Sequence, residues 1–306
     1  MRALVTGASG FVGRHLCGHL AECGDEVVAA DRASDAGGTR LDITDGDATR
    51  DLFAEVRPEV VYHLAGWSDV GGSWIQPLGA LRVNAEGTLN VLEASRHASV
   101  GRVLVISSAD VYGIVAEDDL PITEEHPMRP VSPYAASKAA ADFLALQAGL
   151  GYGQDVVRVR AFNHLGPGQS DRFVASAIAS RIAANERNGT DEVPVGNLAA
   201  RRDFTDVRDV VKAYRLLIDR GAAGEVYNVC SGEAVVVQVL ADRLLALADR
   251  PMRLVVDQER YRPVDVPVVL GDATRLRAAT GWTPTIDLDT TTSDLLAYWR
   301  QVQTQR

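Results

Sequence analysis

The sequence predicts an α/β fold, a doubly wound parallel sheet with helices on both faces and a smaller, discontinuous C-terminal lobe. Two patterns lead to this prediction: an alternation of apolar and helical segments, and a set of turns that interrupts it later in the chain. Short apolar segments such as "RALVTG", "EVVYHLAG" and "RVLVISS" alternate with helical segments along the N-terminal half of the chain. Continuous apolar strands separated by amphipathic helices are typical of a parallel sheet that is buried on both faces.

The predicted strands and helices follow one another in a regular order. "RALVTG" precedes a helix over 11–23, "EVVAAD" and "TRLDI" precede a helix over 47–56, and "EVVYHLAG" precedes a helix over 76–97. "RVLVISS" comes before a helix that begins at Pro133, and the strand "QDVVRVRAFN" comes after it. "GEVYNVC" is predicted to return late to the same sheet.

Turns at "HLGPGQ", "RPVDVP" and "GWTPTIDL" interrupt this order and indicate a second, smaller lobe built from two separated segments. We therefore predict one domain over 1–162 and 203–229, and a second lobe over 163–202 and 230–306.

Composition excludes several classes of partner. The chain has 306 residues, of which 46% are hydrophobic, so it can bury a substantial core. Its net charge of −10 argues against nonspecific binding to nucleic acid or anionic membranes, so any phosphate must be bound by groups close to it.

No apolar run approaches the ~20 residues of a membrane span, and we expect no signal peptide before the first strand. Three cysteines without a CxxC pair suit a reducing compartment, and no histidine or cysteine pair has metal-ligand spacing. We expect a soluble, cytoplasmic protein without a metal site.

A glycine-rich turn follows the first strand directly and opens the first helix. Gly7, Gly10 and Gly13 in "TGASGFVG" have the spacing GxxGxxG, a variant of the dinucleotide-binding fingerprint. Such glycines allow a tight turn and a close approach of the backbone to a pyrophosphate, while the helix N-terminus supplies N–H donors. The segment therefore predicts a dinucleotide site in a Rossmann-type sheet.

Acidic residues near this turn bear on the choice of dinucleotide. Asp31 ends the second predicted strand, where a carboxylate can bind the adenosine ribose and repel a 2′-phosphate. NAD(H) is therefore favoured, and NADP(H) stays possible because Arg32 follows at once. Asp42 could hold the adenine edge or cap the helix that follows.

Tyr134 and Lys138 lie four residues apart in "SPYAASK", at the start of an alanine-rich helix. Residues at this spacing share a helix face, so the ammonium is expected to lower the pKa of the phenol and make it a usable acid or base. The same spacing also arises by chance in many helices.

Several motifs together resemble a known family. "TGASGFVG", "HLAG" at 63–66, "SSADVYG" at 107–113 and "SPYAASK" follow the order seen in extended short-chain dehydrogenase/reductases that act on nucleotide sugars. "FNHLGPGQ", "VGNLAARRDFTDVRD" and "RPVDVP" resemble the GDP-mannose branch, and most of all its reductases of GDP-4-keto-6-deoxy-D-mannose, which make GDP-D-rhamnose.

The resemblance implies a catalytic triad and a cofactor site. Ser108 would hydrogen-bond the C4 oxygen of the sugar, Tyr134 would pass it a proton, Lys138 would hold the nicotinamide ribose and lower the tyrosine pKa, and NAD(P)H would deliver hydride to C4. The implied cofactor-binding residues are Gly7, Gly10, Phe11, Val12, Gly13, Asp31, Arg32, Asp42, Ile43, Leu64, Ala65, Gly66, Tyr134 and Lys138.

The second lobe is implied to bind a nucleoside diphosphate sugar, with GDP favoured. Arg202, Arg262 and Asn163 match positions that bind the diphosphate in the family. Asn197 and Leu198 belong to "GNL", which relatives that act on GDP-sugars also carry, and this favours guanine. The implied substrate-binding residues are Ser68, Ser108, Asp110, Asn163, Val174, Asn197, Leu198, Arg202 and Arg262.

Other functions stay open. Asp110 stands where 4,6-dehydratases carry a glutamate, so an NAD-retaining dehydratase or 4-epimerase is one alternative; a 4-ketoreductase of a dTDP-sugar and a catalytically silent NAD-binding scaffold are others. His63 and His164 are interpreted as structural residues. Family members pair two helices across a twofold axis, so we also expect a homodimer through the helix over 76–97 and the helix that begins at Pro133.

Overall fold

The computed structural model describes residues 1–33, 38–260 and 266–304. The strands, numbered in chain order, are β1 (Arg2–Thr6), β2 (Glu26–Asp31), β3 (Thr39–Arg40), β4 (Val60–His63), β5 (Arg102–Ser108), β6 (Val156–Ala161), β7 (Asn163–Leu165), β8 (Glu192–Val195), β9 (Arg201–Asp206), β10 (Val226–Val229), β11 (Ala234–Val236), β12 (Arg253–Val256) and β13 (Val268–Val269). The α-helices are α1 (Phe11–Glu22), α2 (Gly46–Val56), α3 (Val70–Ile75), α4 (Pro77–Leu81), α5 (Gly87–His97), α6 (Pro133–Tyr152), α7 (Val174–Asn188), α8 (Val207–Arg220), α9 (Val237–Ala246), α10 (Thr274–Thr280) and α11 (Leu288–Thr304).

A seven-stranded parallel sheet in the order β10-β6-β5-β4-β1-β2-β3 forms the centre of the molecule. Helices α1 and α8 pack together on one face, and α2, α5 and α6 cover the other. The predicted fold class is confirmed: the apolar runs are buried strands, including β10, which joins the sheet late in the chain. The strand order reverses at β1, so β1 and β4 end beside the crevice where doubly wound sheets bind their ligands.

A second hydrophobic core lies apart from this sheet. Its buried side chains come from α7, β8, α9 and α11, together with Leu165, Leu198 and Ala200. Strands β11, β9 and β13 form one small sheet, to which β7 adds by pairing with β9, and β8 pairs with β12. Cys230, Leu276 and Trp282 pack in the core of the large sheet instead, so the exact domain boundaries remain a prediction. No helix among the described residues is long and apolar enough to cross a membrane.

Local chemistry sets the ends of the helix that carries the "YAASK" residues. The Ser132 side chain accepts a hydrogen bond from the backbone N–H of Ala135, and Pro133 occupies the first turn. The helix ends at Gly153, whose φ of 68° is left-handed. Asp45, by contrast, caps α2. The proposed capping role of Asp42 is therefore wrong, because its carboxylate accepts instead from the backbone and hydroxyl of Thr44.

The helix predicted over 76–97 is present as one uninterrupted helical run, but it contains a π-helical turn. It consists of α4, a π-helical turn at Arg82–Glu86, and α5. The extra residue of a π turn reorients the side chains that follow it, and such turns often occur at functional sites. Here the turn contains Asn84, which is buried and points toward α6.

Buried acidic residues of "RRDFTDVRD" tie the separated segments together. Asp203 is fully buried and accepts hydrogen bonds from the backbone of Ser231, Gly232 and Gly271 and from the Ser231 hydroxyl. Asp209, also fully buried, accepts from the backbone N–H groups of residues 285 and 286. The motif thus joins β9 and α8 to loops that are distant in sequence.

We expect Asp203→Ala to lower the free energy of unfolding by about 3 kcal/mol or more, because it leaves several buried donors without an acceptor. Denaturant-induced unfolding measures this. The exposed Asp51→Ala on α2 is the control and should change stability by less than about 0.5 kcal/mol. Equal effects of the two substitutions would contradict the role given to Asp203.

Candidate active site

The glycine turn after β1 packs against the segment that follows β4. Gly7 has a φ of 75°, and a Cβ built on it would lie 2.6 Å from the backbone nitrogen of Ala65. A Cβ on Gly13 would lie 2.1 Å from the carbonyl oxygen of Gly7. Gly10 caps α1 without a side chain, and no acidic residue stands in the first turn. Since only glycine fits this cradle and the N-terminal N–H groups face no carboxylate of their own helix, the turn fits the pyrophosphate of a dinucleotide.

One cavity of 360 Å³ joins this turn to the Ser/Tyr/Lys residues and to the second lobe. The structure brings many of the predicted residues together in its wall: Gly7, Gly10, Phe11, Val12, Gly13, Leu64, Ala65, Gly66, Ser68, Ser108, Asp110, Tyr134, Lys138, Asn163 and Arg202. Asp31, Arg32, Asp42, Ile43, Val174, Asn197 and Leu198 do not line it. Arg262 lies outside the described residues.

Ser108 and Tyr134 meet in the middle of the cavity. Ser108 ends β5, and its hydroxyl accepts a hydrogen bond from the backbone N–H of Asp110 at 3.2 Å. Tyr134 stands in the first turn of α6, and its backbone N–H donates to the Ser73 hydroxyl at 3.1 Å. The Ser108 hydroxyl lies close enough to the Tyr134 phenol to affect its pKa. A substrate oxygen placed between them would contact both hydroxyls.

Burial raises the pKa of the Tyr134 phenol, the carboxylate of Asp110 raises it further, and the nearby Ser108 hydroxyl opposes both. This direction is opposite to the sequence expectation. The reason is that Tyr134 is almost fully buried, while the Lys138 ammonium donates to the carbonyl oxygen of Ile106 at 2.8 Å. Tyr134 is therefore a neutral phenol at pH 7, ready to donate a proton.

Lys138 reaches the same cavity from the next turn of α6. Burial lowers the pKa of its ammonium to about 8. A Cβ on Gly66 would lie 3.3 Å from the Lys138 nitrogen, so the glycine leaves the space that the ammonium needs. The ammonium thus lies next to the segment that follows β4, and this segment also packs against the glycine turn.

Asn84 is a site residue that sequence reasoning missed. Its side-chain oxygen accepts from the backbone N–H of Trp67 at 2.8 Å, and its amide donates to the Ser137 hydroxyl at 2.8 Å. It therefore fixes the segment after β4 against α6, and a Cβ on Gly66 would lie 2.8 Å from its oxygen. The available signal was a polar residue on the buried face of a predicted helix, in "RVNAEGT".

Asp31 lies beside the glycine turn, although it does not line the cavity. Its carboxylate accepts from the backbone N–H of Ser9 at 3.0 Å and from that of Ala33 at 3.2 Å. Arg32 is exposed. The Ile43 side chain is buried in the core against Gly87, so only its backbone could face a cofactor.

The residues predicted to bind the nucleotide are spread over the second lobe. Asn163 begins β7 opposite Phe204, and Val174 is the first residue of α7. The Asn197 side chain accepts from the backbone N–H two residues later, and the Leu198 side chain is buried in the second core. Arg202 extends from β9 into the wall of the cavity.

The two histidines that sequence analysis interpreted as structural differ in position, because His164 lines the cavity and His63 does not. His63 is buried between the hydroxyls of Thr6 and Thr88, and burial lowers its pKa to about 3. The His164 ring stacks on Phe11, and its Nδ1 donates to a backbone carbonyl oxygen. Burial lowers the pKa of His164 as well, so both rings are neutral at pH 7.

Comparison with known proteins gives consistent relationships. Residues 4–295 match the family model described as GDP-mannose 4,6 dehydratase. The chain is 40% identical to a GDP-6-deoxy-D-mannose reductase from Pseudomonas aeruginosa, over 97% of both chains. It is 30% identical to a UDP-glucose 4-epimerase from Streptomyces lividans, over 92% of this chain and 91% of that protein. The structure of RMD from Pseudomonas aeruginosa complexed with NADPH superimposes with a TM-score of 0.89 at 38% identity, over 98% of this chain and all of that one.

Burial of Lys138 predicts a pH-dependent difference in stability. The native pKa of about 8 lies below the ordinary value of 10.5, so between these values the unfolded chain binds more protons than the native protein. As pH rises from about 8 to 9.5, the free energy of unfolding of the wild type should therefore rise relative to that of Lys138→Met. Urea titrations of both proteins at several pH values measure this difference, and a constant difference would mean that Lys138 keeps its ordinary pKa.

Proposed function

Because this chain belongs to the extended short-chain dehydrogenase/reductase family, we propose that it is the enzyme that reduces the C4 ketone of GDP-4-keto-6-deoxy-D-mannose to GDP-D-rhamnose. The main observation behind this proposal is that Ser108, Tyr134 and Lys138 line the same cavity as the glycine turn, with Tyr134 as a neutral phenol. The similarity to the GDP-6-deoxy-D-mannose reductase over nearly the whole chain supports the choice of substrate.

The chain supplies a proton and holds the reactants. A bound NAD(P)H supplies hydride to C4. Tyr134 donates its proton to the C4 oxygen as negative charge develops there, and the Ser108 hydroxyl stabilises that charge by a hydrogen bond. Lys138 holds the nicotinamide ribose next to Tyr134. The ketone thus gains one hydride and one proton to become an alcohol, and Tyr134 recovers its proton from solvent.

The cofactor is NAD(H) or NADP(H). The Asp31 carboxylate, held by two backbone N–H groups beside the glycine turn, favours ribose hydroxyls over a 2′-phosphate. Arg32 is exposed at the neighbouring position and can bind a phosphate. The solved relative binds NADPH. We therefore favour NAD(H) on the residues and test both cofactors.

The diphosphate of the sugar nucleotide is proposed to bind at Arg202, which lines the cavity on the side of the second lobe. A guanidinium offers paired donors that match phosphate oxygens. Asn163 lines the same wall, and Arg262 is proposed to complete the grip. Guanine recognition is assigned to the segment around Asn197 and Leu198; since the Leu198 side chain is buried, its backbone would make that contact.

The position of Asp110 suggests a second function. It lines the cavity, and 4,6-dehydratases carry a glutamate at this position. The family model and the epimerase relative both name enzymes other than reductases. An NAD-retaining 4,6-dehydratase or 4-epimerase is therefore the alternative. It differs from the reductase in that it converts substrate without net oxidation of added cofactor.

We propose that the protein is a cytoplasmic homodimer. Leu78 and Leu81 on α4 and Phe143 and Leu150 on α6 are large apolar side chains that are 45–79% exposed. Helices α4 and α6 pack side by side, so these residues lie on neighbouring helices, and we propose that they form one apolar surface. A second copy of the chain would bury this surface by pairing the same helices across a twofold axis.

We expect Tyr134→Phe to lower the turnover of GDP-4-keto-6-deoxy-D-mannose by about a thousandfold, because the phenol is the proton donor. A separate dehydratase generates the substrate, and oxidation of NADH and of NADPH is followed in parallel by absorbance. Tyr152→Phe, at an exposed position, is the control and should be fully active. If the wild type converts the sugar but oxidises neither cofactor, the NAD-retaining alternative replaces the reductase. Unchanged turnover by Tyr134→Phe would remove Tyr134 from the mechanism.

We expect Phe143→Asp to convert a dimer into a monomer, because it places a charge in the apolar surface of α4 and α6. Sedimentation velocity measures the mass. Val239→Asp changes an exposed apolar residue on α9 and should leave the dimer intact. A monomeric wild type, or a dimeric Phe143→Asp variant, would contradict this interface.

A further inference from the structure

Tyr214 on α8 carries a buried hydroxyl group whose role the fold does not explain. Its side chain is fully buried and lines the cavity, yet within the described residues its hydroxyl has no hydrogen-bond partner. Leaving a buried hydroxyl unsatisfied costs free energy that a phenylalanine would not. A tyrosine at this position is therefore expected to have a partner in the working protein.

Gln169 presents a second such group in the same cavity. It is 5% exposed, and its side-chain amide donates to the His164 carbonyl at 2.8 Å. This bond fixes the orientation of the side chain. The Gln169 side-chain oxygen is buried and lacks a donor within the part of the chain that the structure describes. The residue can therefore accept one further hydrogen bond.

Tyr214 and Gln169 both line this cavity, and the segments on which they lie pack against each other. Helix α8 packs against β7, and a Cβ on Gly166, in the turn that leads to Gln169, would lie 2.7 Å from the side chain of Val207 at the start of α8. Side chains on a helix lean toward its N-terminus, which directs Tyr214 toward this turn. Burial raises the pKa of Tyr214 and Tyr134 raises it further, which indicates that the two phenols lie near each other.

We propose that the Tyr214 hydroxyl, together with the side-chain oxygen of Gln169, binds the carboxamide of the nicotinamide ring. This inference rests on the proposed function, which places a nicotinamide next to Tyr134. A primary carboxamide has a carbonyl oxygen that accepts and an N–H₂ that donates. A phenol can donate to the first, and the oxygen of Gln169 can accept from the second.

These contacts give Tyr214 a positioning role. A nicotinamide ring held only by its ribose can rotate about the glycosidic bond, whereas a fixed carboxamide presents one face to the substrate. The same contacts satisfy both buried polar groups of the protein. Tyr214 therefore contributes to cofactor affinity through the nicotinamide half alone.

The decisive variant is Tyr214→Phe, tested by binding. NADH and NADPH are titrated by fluorescence or calorimetry, and ADP-ribose and its 2′-phosphate, which lack nicotinamide, are titrated in parallel. We expect Tyr214→Phe to bind both dinucleotides about fivefold more weakly, in line with one lost hydrogen bond, and to bind the truncated ligands as the wild type does. Without ligand the variant should melt at the same temperature as the wild type or higher, since it loses only an unpartnered hydroxyl.

Tyr62→Phe is the matched control. Tyr62 is also fully buried and its hydroxyl also lacks a partner among the described residues, but it does not line the cavity. Its removal should leave all four affinities unchanged. Unchanged dinucleotide affinity in Tyr214→Phe, or equal weakening of dinucleotides and truncated ligands, would overturn the inference. Because these titrations need no sugar substrate, a wild type that binds NAD(P)H but reduces no GDP-sugar would refute the proposed function separately.

Discussion

The close packing of three backbone segments at the carboxyl edge of the sheet is the constraint on which the site depends. The turn at Gly7 lies against Ala65, and the next residue, Gly66, lies against both Asn84 and Lys138. Any side chain at these glycines would separate the layers. The dinucleotide cradle, the segment after β4 and helix α6 therefore have fixed positions relative to one another, and the distance from the cradle to the reacting hydroxyls follows from the main chain.

Burial at this edge then determines the charge of the reacting groups. It favours the neutral form of both Tyr134 and Lys138, raising one pKa and lowering the other. An opposite charge can offset the cost of burying the charged form of Tyr134 or Lys138 only when it lies close to that side chain. Asp110 acts in the same direction as burial, because a carboxylate disfavours a second negative charge nearby. The cavity therefore keeps Tyr134 as a protonated phenol, which is the form that can donate a proton to an oxygen on which reduction creates charge.

The sequence was informative where the pattern is local and silent where the interaction is tertiary. The strands and the glycine turn were predictable because each depends on neighbours in the chain, whereas the set of Ser108, Tyr134 and Lys138 was implied by the resemblance to a family. The direction of the Tyr134 pKa was predicted wrongly, since burial is not visible in a heptapeptide. The hydrogen bonds of Asn84 and of Asp203 join residues far apart in sequence, so no local pattern shows which partners they have.

The protonation of Tyr134 also bears on the choice between the two candidate reactions. An enzyme that retains NAD⁺ must first oxidise its substrate, so its tyrosine must begin as a base and accept the proton of the C4 hydroxyl. A reductase begins with the proton already on the tyrosine. Burial and the carboxylate of Asp110 both favour the protonated phenol. An NAD-retaining enzyme would have to overcome both before its first step, whereas a reductase starts from the form that the cavity stabilises, and this asymmetry favours the reductase.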